Sequence, residues 1–269
     1  MPEAEQNRED ADLVHELARQ AGKIAMDWFG DEPKVWMKEG QSPVSEADFA
    51  VDNFLRTELL KHRPSYGWLS EETEDTGDRL SARRTFVVDP IDGTRGFIAG
   101  SKQWCISIAI VEERRPVVGV LDCPALDRTI SATLGEGLRV NGDASSLEEV
   151  ETGNALRISG PKQLKDSFAT LTSRSVEVHP FVPSLAYRMA MVACGELDVA
   201  MARKSAKDWD LAAADLIVHE AGGRLTQLDG SLPSYNCSDV RHEALLAAPA
   251  HRHNEMLDLA RQAMNNNFK

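Results

Sequence analysis

The sequence predicts a mixed α/β protein built as one unit with two lobes. Three observations carry that reading. Helix-periodic segments stand near both ends of the chain, a β-rich stretch fills the middle, and from about residue 145 short apolar runs alternate with amphipathic helices. No internal repeat and no long linker interrupts the 269 residues, a length that buries a substantial core unaided. The expected division is a single domain over 1–269, with lobes of about 1–145 and 146–269.

Taken in order, Leu13, Val14, Leu17, Ala21, Ile24, Ala25 and Trp28 recur at helical spacing over 11–29, and Gly30 closes the run. Residues 34–45 read as a polar loop. Ser45 is placed to cap a helix that begins at Glu46 and carries Phe49, Leu55, Leu59 and Leu60 as its apolar stripe. Tyr66 to Leu69 reads as a short strand running into Ser70-Glu71-Glu72, and an acidic segment from Thr73 to Asp78 follows. Thr85-Phe86-Val87-Val88 is a strand that stops abruptly, and Arg95 to Gly100 is a candidate short helix. Trp104 to Val111 and Val117 to Leu121 are strands, and Asn141-Gly142 signals a hairpin. Beyond it the pattern predicts strands at Ala169–Thr172, Asp198–Ala202, Arg224–Leu228 and Ala244–Ala247. Helices are expected at Leu185–Cys194, at Leu211–Ala221 ended by Gly222-Gly223, and at His251–Met264.

Hydrophobic residues make up 42% and charged residues 27%, the balance of an ordinary globular chain. The net charge of -13 argues against a nucleic-acid or anionic-membrane partner. It does not argue against a small anionic substrate, because bound cations reverse a local field. Cys105, Cys123, Cys194 and Cys237 lie in no CxxC pair or Cys/His cluster and read as reduced thiols. The segment Met1–Asp10 lacks the basic and apolar regions of a signal peptide, and no stretch reaches the roughly 20 apolar residues of a membrane span. The expected setting is cytoplasmic.

Three apolar runs end in acid: Leu69-Ser70-Glu71-Glu72, Val88-Asp89-Pro90-Ile91-Asp92, and Asp208-Trp209-Asp210. Ligand sites of α/β proteins lie at strand ends. Magnesium takes a few carboxylates and a carbonyl while keeping some of its waters. Carboxylates gathered without metal would repel and raise one another's pKa, so convergence of these segments calls for a cation. Singly, each acid is equally a solvated turn or a helix cap; Asp210 stands where an N-cap for Leu211-Ala212-Ala213 would. Asp89 to Thr94 is more specific, because Pro90, Gly93 and Thr94 add independent constraints. A helix starting after Gly93 would turn its first amides toward whatever the acids hold. Val218-His219-Glu220 lacks the second histidine of a zinc-protease motif, since position 223 is glycine, and Cys105 lies in a buried strand, away from nucleophilic duty.

These residues resemble the inositol monophosphatase family of metal-dependent, lithium-sensitive phosphomonoesterases. The resemblance rests on Asp89-Pro90-Ile91-Asp92-Gly93-Thr94, on Trp209-Asp210-Leu211-Ala212-Ala213 with Glu220-Ala221-Gly222-Gly223, on Ser42 to Asp48, and on Glu71-Glu72, all in register over nearly the whole chain. It implies a layered αβαβα sandwich of the inositol monophosphatase and fructose-bisphosphatase type, and a homodimer. By position, Glu71, Asp89, the Ile91 carbonyl, Asp92 and Asp210 would hold two to three magnesium ions. Thr94, paired with Asp48, would orient and help deprotonate the attacking water, with Glu71 assisting. Asp92, Gly93, Thr94, Ser184, Leu185 and Asp210 would meet a small phosphorylated metabolite.

Family members that resemble true inositol phosphatases carry a glutamate seven residues before the second-motif aspartate; here Arg203 stands there. Arginine suits a second phosphate or a carboxylate. The alternative is a strand-end arginine in solvent or paired with Asp198 or Asp208. Arg95 and Phe97-Ile98 also resemble the 3'(2'),5'-bisphosphate nucleotidase branch and histidinol-phosphate phosphatases. A regulatory or binding protein on the same scaffold is the rival from another class; the intact acids weigh against it.

Overall fold

Residues 3–30, 35–37, 43–147 and 155–267 are described by a computed structural model of the chain. The element order begins with α1 (Glu3–Met26), a small antiparallel pair β1 (Val35–Met37) and β2 (Pro43–Ser45), and α2 (Glu46–His62). A large sheet follows: β3 (Gly67–Ser70), β4 (Arg84–Asp92), the short α3 (Thr94–Ile98), β5 (Cys105–Glu112), β6 (Arg115–Cys123), β7 (Arg128–Thr133), β8 (Leu138–Val140) and β9 (Asp143–Ser145). Then come β10 (Ala155–Ser159), α4 (Lys162–Leu171), β11 (Ser175–Val178), α5 (Leu185–Ala193), β12 (Val199–Ala202), α6 (Asp208–Glu220), β13 (Gly223–Gln227), β14 (Leu245–Pro249) and α7 (His253–Asn267).

The seven-stranded sheet runs in sequence order from β3 to β9 and is antiparallel except for the parallel β3/β4 pair. The five-stranded sheet has the order β11-β10-β12-β14-β13, with parallel pairing at β10 and antiparallel pairing at β14. Three apolar cores stack these sheets into five layers. The core of α1 and α2 (Val14, Leu17, Val51, Leu55) packs against Phe86, Val88, Ile106, Ile108 and Val120 on one face of the large sheet. Its opposite face (Val87, Ala109, Leu121, Ile130) meets α5 and α6, which also cover Ala200, Leu225 and Ala247 of the small sheet. The outer face of the small sheet (Ile158, Val199, Leu246) is closed by Phe168 of α4 and by Met256 and Ala260 of α7. This is the αβαβα sandwich that the resemblance implies. A strand buried on both faces reads as a continuous apolar run, which is why β4, β5 and β6 were legible: β4 and β5 are buried throughout.

The differences have local causes. Ala169–Thr172, expected as a strand, is the end of α4; Phe168 is buried one turn before Thr172, whose N–H bonds back to the Phe168 carbonyl. A four-residue apolar window cannot tell a strand from the last turn of a helix. Strands β7, β10 and β11 were not foreseen, and β11 is an edge strand with mostly exposed residues. The Asn141-Gly142 hairpin joins β8 to β9, with φ of 52° and 87° at the two turn positions, the left-handed pair a tight hairpin requires. The acidic segment after Glu72 is tied down, by Thr73 Oγ1 donating to Asp52 (2.7 Å) and by the Asp75–Arg79 ion pair (2.8 Å).

Candidate active site

The site begins at the C-terminal end of β4. In a regular strand, residues three apart point to opposite faces. The register of β4 against β5 shifts by one between Asp89, opposite Ser107, and Asp92, opposite Cys105. Pro90, which has no N–H to give to a ladder, sits inside that irregularity. The bulge turns Asp89 and Asp92 to one side. Ligand oxygens of Asp89, Asp92 and Asp210 all lie within 4.8 Å of one another. The Ile91 N–H donates to Asp89 Oδ1 (3.0 Å), which fixes the turn between the two acids.

Asp210 reaches the cluster from α6. The helix starts at Asp208, three residues before the expected Leu211, so Asp210 is its third residue and accepts the Lys207 N–H (2.7 Å). The capping role and the site role therefore belong to the same carboxylate. Asp208 anchors this corner: it accepts from His242 Nε2 (2.7 Å) and from the Asn236 N–H (2.6 Å), while Ser107 Oγ donates to the Trp209 carbonyl (3.1 Å).

Asp92 is held by the start of α5. Ser184 Oγ (2.5 Å) and the Ala186 N–H (2.6 Å) both donate to its Oδ2. Ser184 is at the same time the N-cap of α5, accepting from the Tyr187 N–H (3.0 Å). Gly93 has φ of +95°, and a Cβ there would lie 3.0 Å from the Ser184 nitrogen. Only glycine allows this turn and this approach of β4 to α5.

Asp48 arrives from α2. Ser45 is the N-cap, and both its N–H (2.8 Å) and its hydroxyl (2.5 Å) donate to Asp48 Oδ2, a reciprocal cap that orients the carboxylate. The Thr94 hydroxyl stands 3.2 Å from Asp48 Oδ1 and 3.0 Å from the Ile91 carbonyl. Glu71 follows β3; its N–H bonds to the Val88 carbonyl (3.2 Å), extending the parallel pairing to the edge of the cluster. Ser70 donates to Asp52, which steadies this turn from below.

The electrostatics follow from this packing. Burial, then the charges of Glu71 and Asp92, push the Asp89 carboxyl well above the usual range. Burial and the charge of Asp92 do the same to Asp210, against the pull of its Lys207 hydrogen bond. Asp92 is pushed up to about 6 by burial, with Ser184 and the α5 amides opposing. Asp48 is raised by burial and less strongly by Glu71. Buried acids without a matching cation are costly. An all-oxygen cluster of this kind fits a hard divalent ion such as magnesium, which would remove the repulsion.

Residues 6–265 match the model of the inositol monophosphatase family. The chain belongs to the inositol monophosphatase family. A histidinol-phosphatase of Mycobacterium tuberculosis is 35% identical over 253 residues, covering 89% of this chain and 95% of the relative. A 3'(2'),5'-bisphosphate nucleotidase CysQ of Aggregatibacter actinomycetemcomitans is 30% identical, covering 83% and 86%. Among solved structures, an IMPase of Thermotoga maritima superposes with a TM-score of 0.83 at 25% identity, over 96% of this chain and 99% of that one. The protein is a phosphoric monoester hydrolase of this family.

Of the residues expected at the site, Asp48, Glu71, Asp89, Ile91, Asp92, Thr94 and Asp210 converge through the contacts and charges above. Ser184 and the first amides of α5 serve Asp92 directly. Arg203 is exposed beyond the end of β12. The pairing with Asp198 or Asp208 that its position allowed does not occur: Asp198 is taken by Arg157 (3.1 Å) and Arg252 (3.7 Å), and Asp208 by His242. Among the described residues, no helix is long and apolar enough to cross a membrane.

Proposed function

We propose that the chain hydrolyses a small phosphate monoester by in-line attack of water, with magnesium as cofactor. The observation that carries this reading is the trio Asp89, Asp92 and Asp210, two buried carboxylates and one half-buried, whose ligand oxygens all lie within 4.8 Å of one another. Glu71, Asp89, the Ile91 carbonyl, Asp92 and Asp210 would hold two to three ions. Bound magnesium supplies Lewis acidity, stabilising charge on the phosphoryl and leaving oxygens and making water a better nucleophile at neutral pH.

The chain's own groups do the rest. Thr94, set between Asp48 Oδ1 and the Ile91 carbonyl, orients the attacking water. Asp48 takes the proton through Thr94: its Oδ2 is saturated by Ser45, so Oδ1 is the oxygen open to that exchange. The amides of Gly93 and Thr94 receive phosphate oxygens, and Leu185 and Arg203 meet the rest of the substrate. Histidinol phosphate, a 3',5'-bisphosphate nucleotide and an inositol phosphate are the candidate esters, the first two being substrates in the names of relatives. The same reading carries a homodimer and a cytoplasmic setting.

The test is a panel of these esters with purified protein at neutral pH, with magnesium and then with excess chelator. Turnover that disappears with the chelator is the expected result. If every ester is refractory with magnesium present, the reading falls.

A further inference from the structure

The acids of the cluster come from two parts of the fold. Asp89 and Asp92 end β4, Glu71 follows β3, and Asp210 stands on α6, between the two sheets. Their mutual geometry depends on whatever fixes the start of α6 against β4.

That start is held by the loop that leads into β14. The Asp208 N–H donates to the Val240 carbonyl (3.0 Å) and the His242 N–H to the Ala206 carbonyl (2.8 Å), so the chain entering α6 lies alongside this loop. Within the loop the Asn236 N–H donates to Asp208 Oδ2 (2.6 Å), two residues before Asp210. Asn236 has φ of +54°, the left-handed region that asparagine tolerates better than most side chains.

The Asn236 side chain faces the large sheet. Its Oδ1 accepts from Arg79 Nη1 (2.6 Å), and its Nδ2 donates to Thr85 Oγ1 (3.0 Å). A guanidinium carries donors only, so the amide oxygen is the atom turned to Arg79 and the amide nitrogen the atom turned to Thr85. Thr85 lies on β4, four residues before Asp89. Arg79 is buried, and its other hydrogen bonds go to Asp75 (3.0 and 2.8 Å) and to the Cys237 carbonyl (2.9 Å). Asp75 belongs to the acidic segment that follows Glu71-Glu72. The N–H, the amide oxygen and the amide nitrogen of one residue therefore reach the start of α6, the segment after Glu71, and β4.

We propose that Asn236 is a positioning residue: it holds the start of α6, and with it Asp210, in register with β4 and the Glu71 segment, so that carboxylates from both parts of the fold present their oxygens to one ion. It acts through Asp208 rather than on the ion itself. The proposal rests on the magnesium reading above and deepens it. Groups that fix the direction of a ligating side chain contribute to metal affinity, and losing them costs about 10-fold to 100-fold.

The test is calorimetric magnesium binding to the purified, folded chain, wild type against Asn236→Gly. Glycine keeps the left-handed backbone and the N–H to Asp208 while deleting both side-chain links. The dissociation constant for magnesium should rise about 10-fold to 100-fold. Turnover should fall at limiting magnesium and recover toward the wild-type kcat when the ion is saturating. Should Asn236→Gly fail to fold, Thr85→Val, which removes only the acceptor of Nδ2, carries the same comparison in the same direction. A variant with a lower melting temperature and an unchanged magnesium dissociation constant would show Asn236 to be only a structural staple and overturn the proposal. A wild type that binds no magnesium removes the metal reading itself; wild type and variant that bind it equally remove Asn236 alone.

Discussion

The two ends of β4 hold buried carboxylates in opposite circumstances. At its N-terminal end, Asp10 is fully buried yet accepts from Arg84 Nη1, Arg63 Nε and the Tyr66 hydroxyl, each at 2.7 Å. Arg84 also grips Glu112 (2.8 Å) and Asn7 (2.8 Å), so charge is balanced within the fold. At its C-terminal end, Asp89 and Asp92 are buried, Asp210 is half-buried, and the three face one another. One end is finished by folding. The other gathers like charges that push one another's pKa up. A buried charge is tolerable when paired, and the contrast sets the acid cluster apart as the candidate functional end.

That contrast can be broken experimentally, and the largest effect belongs to the acid cluster. Asp89→Asn should lower phosphatase activity by about 10³-fold or more, since it removes a carboxylate from the site of charge stabilisation. It should also raise the melting temperature of the metal-free protein, because a neutral amide ends the repulsion with Asp92 and Asp210. A variant that is both inactive and less stable without metal would show that the cluster is not strained by charge.

At the finished end the signs reverse. Arg84→Met should cost about 3–5 kcal/mol of stability, the penalty for stranding buried acids without their partner. Turnover by the protein that remains folded should change little. Denaturant unfolding reads the first effect and activity at low temperature the second; a loss under about 1 kcal/mol would place this network with ordinary surface pairs.

The smallest effect sharpens the comparison through pH. Asp92 holds its proton to about 6 in the folded protein against 3.8 for the unreacted side chain. Between those values the unfolded chain has released the proton and the folded chain has not. The stability of the metal-free protein therefore falls as pH rises through this window and stays lower above it. Magnesium binds the ionised form, so it should stabilise strongly at pH 7.5, by about 2.7 kcal/mol at a hundred times its dissociation constant. At pH 5, where protons compete, it should stabilise much less. Melting curves with and without magnesium at the two pH values measure this. Equal shifts would mean that the metal does not sit on these carboxylates.

Some of this site was legible because its determinants are local. Asp89, Pro90, Asp92, Gly93 and Thr94 are neighbours, and apolar-run-then-acid is a pattern that a strand end imposes on a short window. Ser45 ahead of Glu46 was readable as a cap for the same reason, as the structure shows. Strands β7, β10 and β11 were not legible, because they are short and interrupt their apolar residues with polar ones at half-buried positions in β7 and β10 and at exposed positions in β11. Ala169–Thr172 was misread because a short apolar run does not specify which element buries it.

By itself, the sequence determined the mixed α/β class, the strand-end acids that cluster and the Ser45 cap, since period, capping and motif act over a few residues, and the layering followed from the family resemblance. Tertiary structure alone decided the rest. It paired Thr94 with Asp48 across 46 positions and turned Asp89 and Asp92 to one side through a bulge in register with β5. It also engaged Asp198 and Asp208 elsewhere, so that among the described residues Arg203 has no ion pair. These outcomes depend on which groups meet after the sheets stack. A buried charge takes its meaning from its partner, and the partner is chosen by packing rather than by proximity in the chain.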